Sequence, residues 1–196
     1  MTTQYFFPTP IYFSFVKNLE SIQEEVDCYL ASVSETDLEN PWGDTVQTTF
    51  KYGNFVHALD KMPILLLEIK EHCYEFLKNI KYQQTADIHV KESWCNISNR
   101  NSFQHIHLHG DTDISGVYYH QTNGQDGDIV FRNPSLVNRF HKLTYNIENS
   151  ITYKPEVGKI LLFPSFLEHG VFHNNTDHKR ISVTFNINLN QNERKI

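Results

Sequence analysis

The sequence has few cysteines, and none of them stands in a recognisable pair. Cys28, Cys73 and Cys95 are widely spaced and form no C-x-x-C motif. This count and spacing argue against a disulfide-stapled scaffold and against a thiolate zinc site. A chain of this kind suits a reducing compartment, and we expect the cytoplasm.

Long hydrophobic runs and basic clusters are also missing. No apolar stretch approaches the roughly 20 residues that cross a bilayer, and residues 1–8 lack the basic segment of a secretory signal. Lys and Arg form no cluster or stripe, so the phosphates of a nucleic acid have no evident electrostatic partner. The net charge of −6 arises in residues 1–90, which hold 6 Lys/Arg against 13 Asp/Glu. We therefore expect no membrane partner and no electrostatic nucleic-acid surface.

What the chain does have is enough apolar material for one sizeable core. Its 196 residues are 39% hydrophobic and 13% aromatic, which predicts a single domain over residues 1–196. Residues 1–86 form a helical preface with a peripheral strand, and residues 87–196 form a strand-rich core. The fold class we predict is mainly β with N-terminal helices.

Apolar spacing and turn residues locate the elements of the preface. We predict a strand over residues 11–16 and a helix over residues 19–32, where apolar residues recur three or four positions apart. A turn follows at residues 40–44, and a second helix begins after Pro63.

The second half is typical of an antiparallel β protein. Eight short β-rich runs separated by turn residues, after a helical preface, predict a jelly roll with helices packed outside it. The predicted strands are 87–97, 103–109, 114–121, 128–132, 149–154, 159–163, 170–174 and 180–189.

Alternating histidines are the feature that points to chemistry. His105, His107 and His109 share one face of the predicted strand, because side chains two residues apart point the same way. Imidazoles arranged in this way bind a divalent cation readily. A lone histidine would more simply be a surface residue, but three in alternation favour a metal site.

His169 and Arg180, which come much later in the chain, extend this site. His169 follows a predicted buried strand and can supply a distant ligand, so that a third histidine stands where non-haem iron oxygenases use a carboxylate. If the strand of Arg180 runs antiparallel to the strand of His169, the return turn places the guanidinium beside the metal. There it would grip a carboxylate through two hydrogen bonds, with the Ser182 hydroxyl on the same face.

Taken together, these motifs resemble the 2-oxoglutarate/Fe(II)-dependent oxygenase family of bacteria and phages along nearly the whole chain. The matching segments are Phe7-Pro8-Thr9-Pro10-Ile11, Trp94-Cys95-Asn96, His107-Leu108-His109, Ser115-Gly116-Val117-Tyr118-Tyr119, Phe163-Pro164 with His169, Arg180-Ile181-Ser182, and Phe185-Asn186. The resemblance implies a double-stranded β-helix with Fe(II) as cofactor and with 2-oxoglutarate and O₂ as co-substrates. It implies a dioxygenase that hydroxylates an unknown substrate.

The resemblance also implies roles for individual residues. His107, His109 and His169 would bind the iron as the catalytic centre, and Arg180 would bind 2-oxoglutarate. The hydroxyls of Ser182 and Tyr119 would add donors to the same co-substrate. A homodimer stays open as a further partner.

One departure from the family's pattern leaves the ligand set open. The wider superfamily has H-x-D or H-x-E, whereas His107-Leu108-His109 places histidine at the carboxylate position. The alternative is that His109 and Asp111 form the H-x-D pair with His169. We favour the three-histidine set because the spacing from His109 to Ser115 suits the family's segment.

A second class of protein competes with the oxygenase. The spacing of His107, His109 and Asp113 also resembles the cupin pattern H-x-H-x(3,4)-E, which would make the chain a metal-binding isomerase or a non-catalytic binding module. Arg180 separates the two hypotheses, because a cupin does not need a dicarboxylate clamp at that place. The oxygenase is therefore favoured.

Overall fold

The computed structural model describes residues 8–41, 45–51, 57–82, 86–135 and 149–191. Within these ranges the helices are α1 (Leu19–Ser32) and α2 (Pro63–Asn79), with short 3₁₀ turns at Glu35–Asp37 and Ala58–Lys61. The strands are β1 (Tyr12–Phe15), β2 (Gln47–Thr48), β3 (Ala86–Ser98), β4 (Gln104–His107), β5 (Ile114–Gln121), β6 (Ile129–Arg132), β7 (Ser150–Tyr153), β8 (Lys159–Pro164), β9 (His169–Val171) and β10 (Arg180–Gln191). Phe7 of the family-like opening and residues 42–44 of the predicted turn lie outside the described residues.

The strands form two antiparallel sheets. The larger has the order β1-β8-β5-β10-β3-β2, and the smaller has the order β4-β9-β6-β7. Along the chain, β3 to β10 pass back and forth between the sheets, which is the winding of a double-stranded β-helix. The predicted fold class is confirmed.

Helices α1 and α2 cover the outer face of the larger sheet. Pro63 occupies the first turn of α2, where its missing N–H costs no hydrogen bond. The buried positions recur at helical spacing: Ile22 and Val26 in α1, and Leu65, Ile69, Cys73 and Phe76 in α2. These side chains pack in one core with Val183, Phe185 and Ile187 of β10. The alternate positions of β10 are thereby left to face the smaller sheet.

The His-rich segment departs from the predicted regular strand. In the pairing of β4 with β9, Gln104 lies opposite Val171 and His107 lies opposite His169, so three steps on one strand match two on the other. Such a bulge breaks strict alternation. The strand predicted over residues 103–109 spans only Gln104–His107. Strand β2 and the 3₁₀ turns were not predicted, because elements of two to four residues are too short to show a period.

The helices and the cysteines bear on two further expectations from composition, which concern membrane spans and disulfides. Neither helix in the described part of the chain is long and apolar enough to span a bilayer. All three cysteines are free, and burial raises the thiol pKa of Cys73 and of Cys95 to about 12. The fold therefore contains no disulfide between these cysteines.

A glycine at the centre of the larger sheet gives a test of this packing. A Cβ added at Gly116 would lie 2.4 Å from the ring of Phe185 and 2.8 Å from Leu162. We predict that Gly116→Ala lowers the free energy of unfolding by about 1–3 kcal/mol through overpacking. In the control Gly110→Ala, the new Cβ meets only Leu108, at 4.0 Å, and the change should stay within about 0.5 kcal/mol. Urea denaturation that ranks the two variants as equally stable would contradict this packing.

Candidate active site

A cavity of about 560 Å³ opens between the two sheets. Arg180, Ser182 and Thr184 of β10 line its floor, as alternate side chains of one strand must. The smaller sheet contributes the opposite wall through β4 and β9. The two sheets therefore converge on one space into which the predicted site residues project.

Three histidines meet on one side of this cavity. The candidate ligand atoms of His107, His109 and His169 all lie within 4.8 Å of one another. His107 and His169 face each other across β4 and β9, with ring centroids 4.4 Å apart. His109 lies beyond the end of β4, where its backbone N–H donates a hydrogen bond to the carbonyl oxygen of Ser165 at 2.9 Å. Strand pairing and the following loop thus bring together residues that are distant in sequence.

Backbone carbonyls determine which nitrogen each of two rings presents. Nδ1 of His107 lies 2.8 Å from the carbonyl oxygen of His105, and Nδ1 of His169 lies 2.8 Å from that of Leu167. A carbonyl only accepts, so Nδ1 carries the proton and Nε2 keeps a lone pair. This arrangement orients imidazoles for metal binding.

Burial keeps two of the three imidazoles uncharged. It lowers the pKa of His169 to about 3 and that of His109 to about 4, and the neighbouring His107 lowers both further. The two rings are therefore neutral at pH 7 and offer nitrogen lone pairs. A compact set of three imidazoles, two of them neutral through burial, fits a divalent transition metal such as Fe(II).

Arg180 is a buried cation held by neutral groups. Its guanidinium donates to the carbonyl oxygens of Asp126 at 2.9 Å and Gly127 at 2.6 Å, and to the hydroxyl of Ser98 at 2.9 Å. Burial lowers its pKa, yet a guanidinium stays charged in proteins. Among the described residues no carboxylate forms an ion pair with it. Because a buried charge is costly without a counter-charge, the site fits an anionic ligand.

The two predicted hydroxyl donors lie beside this cation. Ser182 pairs with Tyr119 across β10 and β5, and both line the cavity. Burial raises the pKa of Tyr119 to about 12, so its hydroxyl is protonated at neutral pH. The route by which Arg180 reaches the cavity differs from the prediction, however. Strand β10 does not pair with the strand of His169, and the residues meet because their sheets face each other.

The competing ligands suggested by sequence lie elsewhere. Asp111 forms an ion pair with Lys91, and its side chain is 74% exposed. Asp113 accepts a hydrogen bond from the backbone of Leu189 at 2.7 Å. His105 packs edge-on against Phe103 and is not part of the histidine cluster. Neither carboxylate joins the three histidines.

Several polar residues of the site were not assigned from sequence. Asn186 donates to the carboxylate of Glu92 at 2.7 Å, accepts from the Ser115 hydroxyl at 2.7 Å, and lies 3.3 Å from Nδ1 of His109. Trp94, part of the family-like Trp94-Cys95-Asn96 segment, lines the cavity, and its indole N–H has no hydrogen-bond partner among the described residues. The alternation of polar residues along β3 and β10 was the available signal, but it identifies a cavity wall only when both sheets are known.

Comparisons with known proteins agree with this geometry. A family model described as "Putative 2OG-Fe(II) oxygenase" matches residues 92–186. That range runs from β3 to β10 and includes the three histidines and Arg180. A comparison with curated proteins finds no match.

Solved structures share the fold. A prolyl-4-hydroxylase from Pseudomonas putida is 14% identical, with 92% of each chain covered and a TM-score of 0.62. HygX from Streptomyces hygroscopicus, with nickel, 2-oxoglutarate and hygromycin B bound, is 12% identical, with 92% of this chain and 83% of that chain covered and a TM-score of 0.61. SnoK, an alpha ketoglutarate dependent carbocyclase from nogalamycin biosynthesis, is 10% identical, with 92% and 80% covered and a TM-score of 0.63. Identities this low support the fold alone.

The fold and the matched residues together define a double-stranded β-helix oxygenase. The family model and the shared fold indicate a 2-oxoglutarate/Fe(II)-dependent oxygenase, with Fe(II) as cofactor and 2-oxoglutarate as co-substrate. The predicted class of enzyme is confirmed, and the cupin-like alternative is not supported.

The buried hydrogen bonds of Asn186 predict a stability effect. Asn186→Ala leaves the Ser115 hydroxyl and the Glu92 carboxylate short of a partner, so the free energy of unfolding should fall by about 1–3 kcal/mol. Asn190→Ala, at an exposed position of the same strand, should change it by no more than about 0.5 kcal/mol. Thermal or urea denaturation of the two variants measures the difference. Similar losses in both would show that the buried bonds contribute little.

Proposed function

We propose that the protein is a hydroxylase in which His107, His109 and His169 hold Fe(II) and Arg180 holds 2-oxoglutarate. One observation carries the proposal: a cluster of imidazoles lines the same cavity as a buried guanidinium that pairs with no carboxylate among the described residues. A metal and a dicarboxylate are the ligands that satisfy both features. Ser182 and Tyr119 would donate hydroxyl hydrogen bonds to the co-substrate.

The residues of the chain prepare and orient the bound groups. When bound, Fe(II) with O₂ and 2-oxoglutarate supplies the oxidation that converts a C–H bond to C–OH, while 2-oxoglutarate becomes succinate and CO₂. The carbonyls of His105 and Leu167 hold two rings in place before any ligand arrives. Those of Asp126 and Gly127 hold the guanidinium in the same way, so little ordering is left for the moment of binding.

Hydroxylation makes few structural demands on the residues around the metal. It requires only that a substrate C–H bond is positioned beside the metal, with apolar walls that limit the access of water. Val117, Ile129 and Phe163 provide such walls in the cavity.

We also propose that the chain works as one domain, in the cytoplasm. Strand β1 of the preface pairs with β8 of the core, and α1 and α2 share a hydrophobic core with β10. These contacts support a single folding unit over residues 1–196. The free thiols are compatible with a reducing compartment.

Metal binding tests the three-histidine assignment. We predict that the wild type binds one Fe(II), that Mn(II) or Ni(II) substitutes, and that His169→Ala and His107→Ala lose the metal. Asp111→Ala should keep it, because that carboxylate pairs with Lys91 outside the cluster. His105→Ala is a matched control on the same strand. Metal analysis after loading without oxygen measures each variant, and retention in His107→Ala with loss in Asp111→Ala would move the site to the H-x-D pair.

Co-substrate binding tests the role of Arg180. Calorimetry of 2-oxoglutarate into the metal-loaded protein should show binding that Arg180→Lys weakens roughly ten- to a hundredfold, because an ammonium cannot make the paired bonds of a guanidinium. Arg100→Lys, at an exposed residue paired with Asp177, is the control and should bind normally. Succinate release without added substrate is a second measurement. No binding to the metal-loaded wild type, or equal binding to Arg180→Ala, would reject the proposed site.

A further inference from the structure

Glu92 stands out among the residues that line the cavity. In the described part of the chain it is the only acidic side chain in the lining, and Arg180 is the only Lys or Arg there. The pairing of β10 with β3 places Glu92 opposite Asn186 and Ser98 opposite Arg180. The backbone positions of the two charged residues are thus six residues of strand apart, or roughly 20 Å at about 3.3 Å per residue. At that distance the positive charge of Arg180 is largely screened, so it has little effect on whether a cation binds beside Glu92.

The carboxylate of Glu92 is held on one side and open on the other. Oε1 accepts the 2.7 Å hydrogen bond from Asn186, which is fully buried and is anchored in turn by Ser115. Oε2 has no hydrogen-bond partner among the described residues. A carboxylate fixed in this way presents a negative charge to the cavity without needing a protein cation to hold it.

Two aromatic rings line the same cavity as this charge. Trp94 is the next inward-facing residue on β3, and the ring of Phe50 meets its indole edge-on with centroids 5.1 Å apart. Aromatic faces attract ammonium and guanidinium groups, and the apolar side chain of Leu108 in the same lining can contact the methylenes that carry such a group. A cavity lined by a carboxylate and two aromatic rings is a chemical environment suited to an organic cation.

We propose that the substrate of this oxygenase carries an alkylammonium or guanidinium group, which pairs with Glu92 on the side of the cavity lined by Trp94 and Phe50. The inference rests on the proposed function, because it takes the cavity as the place where substrate binds. The cation would lie at the Asn186 end of the cavity, remote from Arg180. The net charge of −6 adds a general attraction for cations approaching from solution.

Binding of simple probes tests this charge preference without requiring turnover. The probes are Nα-acetyl-lysine methylamide and Nα-acetyl-arginine methylamide, compared with Nα-acetyl-norleucine methylamide, which has the lysine chain without its ammonium. The chain has two tryptophans, so a Trp42→Phe background leaves Trp94 as the only indole to report binding by fluorescence. The protein is loaded with Mn(II) and 2-oxoglutarate without oxygen. We expect the cationic probes to bind at least about tenfold more tightly than the neutral one.

Variants at Glu92 identify the source of the preference. Glu92→Gln retains an oxygen that accepts from Asn186 but loses the charge, so the preference for cations should disappear. Glu92→Asp keeps the charge and should keep part of the preference, and Asp111→Asn removes an exposed carboxylate outside the cavity and should keep all of it. A cation preference that survives in Glu92→Gln would show that Glu92 is only a structural acceptor for Asn186.

Separate measurements distinguish failure of this inference from failure of the proposed function. Calorimetry of metal and 2-oxoglutarate is run on the same proteins. If both bind normally while the cationic and neutral probes bind equally or not at all, the cation site is wrong and the oxygenase site stands. If 2-oxoglutarate fails to bind to the wild type, the proposed co-substrate site fails whatever the probes do.

Discussion

The pairing of β10 with neighbours on both sides is the constraint on which the rest of the structure depends. Held between β3 and β5, the strand has no freedom to slip, because a shift of one residue would exchange its two faces. Phe185 is fixed in the core beneath the helices, and Arg180 and Asn186 are fixed towards the cavity. One register thus sets hydrophobic stability and the chemistry of the site together.

The site combines groups that are costly to bury with neighbours that hold them in place. The imidazoles of His109 and His169 avoid the cost by remaining neutral, since burial depresses their pKa values. Arg180 stays protonated, and its guanidinium is held by carbonyl and hydroxyl oxygens. These groups are neutral, so a bound anion would supply the counter-charge. Neutral imidazoles at one place, and at another a cation with no carboxylate partner in the described part of the chain, are what the proposed metal and dicarboxylate require.

Much of the fold was predictable from the sequence because its signals are local. Period-two runs located the core strands, and helical spacing located Leu19–Ser32 and the helix after Pro63. The bulge before His107 was not predictable, because it arises from pairing with a strand some sixty residues away. Spacing alone could not separate His107 from Asp111 as a ligand. The ion pair of Asp111 with Lys91, a tertiary contact, is what sets them apart in the structure.

Crystals grown without oxygen in the presence of Fe(II) and 2-oxoglutarate, with diffraction recorded at the iron absorption edge, test the central claim most directly. We expect the anomalous peak to be bonded to His107, His109 and His169, with a carboxylate of 2-oxoglutarate on the guanidinium of Arg180. Iron bound by Asp111, or 2-oxoglutarate bound away from Arg180, would contradict this account of the site.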